Sequence, residues 1–249
     1  MRKFLTLSLL MAMISVFYFP ANAQDKVPIK LNIGADIMSR YLWRGSDFGS
    51  SPCVQPTLSL SIENFEFGSW GSIATNGQYS EVDLYAKYTL KWFTLMFTDY
   101  YIPTLNGSPA SPDTRYFIWD DKKTAHSLEG SLMFKGGDKF PLWVLGGAFF
   151  YGNDKRWGYD AKKDTTDATY YSSYFEVGYP FTIKETGIDV FAGFTPTAGA
   201  YGNTLGFVNF GFTGYRKIQI TDKFGLPLKA TLMFNPQASS VHFAFGVTL

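Results

Sequence analysis

Two histidines and a scatter of carboxylates are the residues with chemistry to offer in this chain. Ser240-Val-His242 sets a hydroxyl and an imidazole two residues apart, which on a strand puts both on one face. Nucleophilic catalysis needs a nucleophile, a base and a group that orients the base. No acid or amide accompanies the pair, so it reads as a loop serine beside an inward histidine. His126 and Ser127 are adjacent, and adjacent residues of a strand face opposite sides. Cys53 is the single cysteine, which excludes an internal disulfide and a zinc site of several cysteines. Asp120-Asp121 could touch a hard cation weakly. Lys122 and Lys123 follow directly, and a solvated run of charges explains the four residues more simply. No glycine-rich loop is suited to cradling phosphate. The sequence therefore argues against an enzyme and calls for no metal and no cofactor.

The remaining charges are ordered in another way. Asp36, Arg40 and Arg44 fall on one parity of the first long alternating segment, with Leu31, Ile33, Ile37, Tyr41 and Trp43 on the other. Glu63, Glu66, Asp83 and Lys87 fall on the polar parity of the segments that follow. Glu129, Glu176, Asp189, Lys217 and Lys229 do the same further on. Seven acids and five bases thus share one face of a chain whose other face is apolar. Period-2 patterning of this kind is the mark of strands, since a helix would scatter these residues around its circumference.

Stepping along the chain, the alternation predicts twelve strands, near 30–44, 54–63, 65–75, 81–90, 93–102, 125–134, 142–152, 170–180, 188–196, 206–218, 226–235 and 241–249. Connections after odd strands are long or rich in glycine and charge, notably 103–124 and 153–169. Those after even strands are short. An even strand number with short turns on one side and long loops on the other is the pattern of a transmembrane antiparallel up-and-down β-barrel. Aromatics make up 18% of the 249 residues, more than a core needs. Tyr41, Trp43, Tyr100, Tyr101, Tyr170 and Tyr171 are expected at the loop rim. Phe65, Trp92, Phe93, Phe140, Phe181 and Phe224 are expected at the turn rim, as interfacial girdles.

The N-terminus carries Arg2 and Lys3, an uncharged stretch from Phe4 to Phe19, and then Ala21-Asn22-Ala23. This order predicts a signal peptide over 1–23 and a barrel over 24–249. The later uncharged run Phe140–Gly152 is too short for a spanning helix and is broken by Pro141, Gly146 and Gly147. With 22 basic and 21 acidic residues, net charge +1, there is no electrostatic case for nucleic acid.

Ala35-Asp-Ile-Met-Ser-Arg-Tyr-Leu-Trp-Arg-Gly45, followed by Gln55-Pro-Thr-Leu-Ser-Leu-Ser61, resembles the opening signature of the TorF-like putative porin family. Ile220-Thr-Asp-Lys-Phe-Gly-Leu-Pro227 and the last strand are similar to that family's closing segment. The resemblance implies an outer-membrane barrel of porin type and supplies no substrate and no functional residues. The expectation is a channel for passive diffusion of small polar or charged solutes, a barrel with both termini periplasmic, whose partners are outer-membrane lipid, the barrel-assembly machinery and those solutes. Its pore lining would be Asp36, Arg40, Arg44, Glu63, Asp83, Lys87, Glu129, Glu176, Asp189 and Lys229. The competing expectation is a non-conducting barrel that serves as an anchor, adhesin or assembly partner through its outer loops.

Overall fold

Residues 27–103, 113–121, 123–155 and 168–249 are described by a computed structural model. The expected signal segment and the middles of the two longest loops lie outside the described residues. Among the described residues every regular element is a strand. In chain order these are β1 (Ile29–Met38), β2 (Tyr41–Trp43), β3 (Ser46–Phe48), β4 (Cys53–Ile62), β5 (Phe65–Ala74), β6 (Ser80–Leu90) and β7 (Phe93–Tyr101). They continue with β8 (His126–Lys135), β9 (Trp143–Gly152), β10 (Ser173–Ile183), β11 (Thr186–Thr195), β12 (Gly206–Thr221), β13 (Phe224–Asn235) and β14 (Ser240–Thr248).

Twelve of these close into an antiparallel barrel in which each strand pairs with its sequence neighbours and β1 pairs with β14. The short β2–β3 hairpin is a separate ladder inserted between β1 and β4. The seam is short: β14 covers β1 only from Asp36 opposite Thr248 to Met38 opposite Gly246, extended by the Ala35–Leu249 backbone bonds. On its other side β1 pairs with β4 over its whole length, Ile29 opposite Ile62 to Met38 opposite Cys53.

Alternation now has a physical outcome. In β4, Val54, Leu58 and Leu60 are exposed while Gln55 and Ser59 are buried. In β14, Val241, Phe243 and Phe245 are each about 60% exposed while Ala244 is buried. A soluble sandwich would hide such rings. Here the barrel turns them outward.

One rim carries tight turns. Glu63, Lys91 and Lys184 adopt positive φ there, at 52°, 52° and 54°. Phe65, Trp92, Phe93, Phe140, Phe181 and Phe224 are all exposed around this rim. The other rim carries the long connections, and there the expectation fails in part. Tyr41 and Tyr100 are 6% and 7% exposed and point into the barrel, and Trp43 packs against Tyr100 and Tyr201. They are core residues and not girdle residues.

Candidate functional site

The first expected strand, 30–44, ends early. β1 stops at Met38, and the chain turns inward to form the β2–β3 hairpin inside the loop-side half of the lumen. Arg44 and Gly45 make its two-residue turn, with φ of 46° and 90°, the paired left-handed conformations of a tight hairpin. Gly45 suits this place because a side-chain carbon there would collide with the Val208 carbonyl. Arg44 has no such freedom and holds a left-handed conformation that costs about 1–2 kcal/mol.

What holds it is Glu129. Arg44 Nη1 donates to Glu129 Oε1 at 2.5 Å and Nη2 to Oε2 at 3.0 Å, a two-pronged pair. Both side chains are buried, at 7% and 1% exposure. Tyr100 Oη donates to Glu129 Oε2 at 2.8 Å. The guanidinium also lies 4.5 Å from the Trp43 ring centre and 4.8 Å from that of Tyr174. A register shift between Leu128 and Glu129 places the carboxylate here, and Gly147 leaves it room. Burial raises the Tyr201 phenol well above its ordinary range, with Arg44 drawing it part of the way back. Tyr201 therefore stays protonated beside the pair.

A second contact zone seats the other face of the hairpin. Tyr41 packs against Phe48, Trp70 and Tyr79, and Cys53 lies beneath them at 1% exposure. Tyr79 Oη donates to Glu81 Oε2 at 2.8 Å. Burial, then the charge of Glu81, pushes the Tyr79 phenol well above its ordinary range. Asp83 lies two residues along the same face, 6% exposed, with Oδ1 unpartnered. The loop-side half of the lumen is thus a packed core.

The turn-side half is different. Lys87 pairs with Glu66 at 2.9 Å with the lysine 34% exposed, and Lys229 pairs with Asp36 with 27% exposure. Trp143 Nε1 donates to Asp189 at 3.1 Å. Inward charge is buried near the loops and wet toward the turns.

The expected pore lining is therefore brought together only in part. Asp36, Asp83, Lys87, Glu129, Glu176, Asp189 and Lys229 do stand on the inner wall. Arg40 and Arg44 lie on the inserted segment, not on the wall, and Arg40 pairs with Asp47 at 3.0 Å. Glu63 is corrected outright: it is exposed in the β4–β5 turn, where its φ of 52° ends the strand.

The histidines also resolve. Ser240 Oγ and His242 Nε2 are 2.9 Å apart. His126 is fully buried at the loop rim on the outward parity. Its Nδ1 lies 2.8 Å from Asp99 Oδ1 and its Nε2 2.6 Å from the Tyr116 carbonyl. Both ring nitrogens face acceptors, and Trp119 stacks on the ring at 4.0 Å. The imidazole is a clasp for the loop segment 113–121, a role the sequence did not signal. Asp121 and Asp120 face Lys155 and Lys123, at 3.1 and 4.0 Å. Among the described residues no group of three metal-ligating side chains exists.

No protein-family model matches the chain, and no curated protein matches it.

Proposed function

We propose that this chain is an outer-membrane barrel of porin type, a narrow passage for small solutes whose loop-side half is closed by the β2–β3 hairpin. The observation that carries the reading is the division of the lumen. One half is wet and charged, and the other is filled by a short inserted segment with a polar clamp at its tip. A barrel that needed only to be stable would fill its interior from its own walls, as eight-stranded barrels do. Twelve strands leave more room, and here the room is filled by an inserted hairpin that is not part of the wall.

The outward apolar surface and the Phe-rich turn rim support insertion in lipid, where a closed sheet satisfies its own backbone. The asymmetry of the rims supports turns on the periplasmic side and loops outside. The resemblance to TorF-like porins agrees with this reading.

A second reading is favoured by one observation. Burial of Arg44 and Glu129 makes the clamp costly to break, as a permanent plug in a non-conducting anchor would require. Planar-bilayer recording of the refolded full chain separates the two. Discrete steps whose open time lengthens in Arg44→Ala support the gated passage. A silent bilayer for both forms, with the barrel folded, supports the anchor.

A further inference from the structure

Below the hairpin the lumen opens into a chamber of about 510 Å³. Its wall is unlike that of an ion path. Leu42, Trp70, Met96, Met133, Leu145 and Phe191 line it, from six different strands, and none is fully buried. The neighbours Leu95, Leu132, Val144 and Val190 are exposed on the outer face, so the free surface of Met96, Met133, Leu145 and Phe191 faces inward.

The charges on the same wall are already spoken for. Asp36 accepts from Lys229 and from Thr248, the latter at 2.7 Å. Arg40 pairs with Asp47 and Arg44 with Glu129. Glu176 accepts from Asn209 and from Tyr174. An ion entering this chamber would lose hydration and find each wall charge already engaged. An apolar guest would instead remove apolar surface from water on both sides, a gain of about 25 cal/mol per Å².

We propose that the chamber binds one small, uncharged, largely apolar molecule, such as an aromatic or short aliphatic compound. The volume lies within the range of small-molecule pockets, about 300–1,000 Å³. Methionines on two adjacent strands give one wall the adaptability that suits guests of varied shape. Access is from the turn side, where the inward side chains are exposed, so binding does not require the hairpin to move. The inference rests on the passage reading by naming the solute class that stops within it. Its test reads binding and not current, so a silent channel and an empty chamber are separate outcomes.

The experiment titrates the full chain in lipid nanodiscs with N-phenyl-1-naphthylamine, following energy transfer from tryptophan. Trp70 and Trp43 both line the chamber. The expected result is a saturable component of one probe per barrel above the linear partition measured with empty nanodiscs. It should be displaced by 1-naphthol and not by glucose or sodium phosphate. Filling the chamber with Met96→Phe and Met133→Phe should weaken it by about tenfold or more, roughly 1.4 kcal/mol. The outward changes Leu95→Phe and Leu132→Phe on the same strands should leave it intact. Should the inward double variant lose the heat-modifiable gel mobility of a folded barrel, Thr231→Phe on another part of the wall makes the same test. Linear partition alone in the wild type overturns the proposal. So does a saturable component that the inward variants leave unchanged, that the outward variants remove, or that glucose displaces equally.

Discussion

Arg44, at the tip of an inserted hairpin, grips Glu129 of the barrel wall through both terminal nitrogens at 2.5 and 3.0 Å. The two residues are 85 positions apart in sequence, and the contact ties the first connection of the chain to its eighth strand. Arg44→Ala leaves a carboxylate buried at 1% exposure with its cation gone, which should cost about 3–5 kcal/mol. Arg44→Lys keeps the charge but loses the fork and should fall between. The apolar double change Arg44→Met with Glu129→Leu should recover most of the loss. Urea unfolding in lipid, followed by tryptophan fluorescence, gives all three values. Equal stability of Arg44→Ala and wild type would mean that the clamp is not formed.

Cys53 offers a direct report on the hairpin. It is the only thiol in the chain and is 1% exposed beneath Tyr41 and Tyr79. A small maleimide should label it slowly in the wild type and much faster in Arg44→Ala, with the barrel still folded. Rapid labelling of the wild type would show that the hairpin does not cover it.

Leu84 and Asp83 separate the two faces of one strand. Leu84 is 45% exposed on the outer face, so Leu84→Arg should destabilise the barrel in lipid by about 2–4 kcal/mol near the bilayer midplane. Alternation alone gives Asp83 a wet wall, on which Asp83→Arg would be nearly free. At 6% exposure beneath the hairpin, the same change must overpack the site by about 1–3 kcal/mol and push the hairpin outward. Unfolding free energies of both variants decide it. A negligible cost for Asp83→Arg would restore the open wall.

The outer clasp makes its own prediction. His126→Ala removes the donor that holds the Tyr116 carbonyl and leaves Asp99 unpaired on the outward face. Segment 113–121 should come away from the rim, and trypsin should cut after Arg115 faster than in the wild type. Unchanged cleavage would show that Trp119 stacking and the Asp113–Thr124 bridge suffice without the imidazole.

How much of this could be read from the residues follows from what period-2 patterning encodes. Val54 to Glu63 and Val241 to Leu249 each have one neighbour on either side and a solvent or lipid boundary, so alternation places them. The first strand fails because Tyr41 and Trp43 continue the odd, apolar parity of Leu31 to Ile37 after the chain has left the wall. Parity does not distinguish a ring that faces outward from one that packs against Tyr79 and Tyr201 within the lumen. Glu63 fails for the opposite reason: a turn residue inherits the parity of its strand without sharing its surface. The Arg44–Glu129 pair joins positions 85 apart, a separation on which local pattern is silent.

The most direct test compares single-channel conductance of the full chain with that of a form in which residues 41–48 are replaced by a short Gly-Ser turn, both checked for folded mobility on gels. The hairpin fills the loop-side half of the lumen, so its removal should give frequent, larger steps where the wild type gives rare or small ones. Equal conductance in the two forms, whether large or absent, would contradict a passage closed by this hairpin.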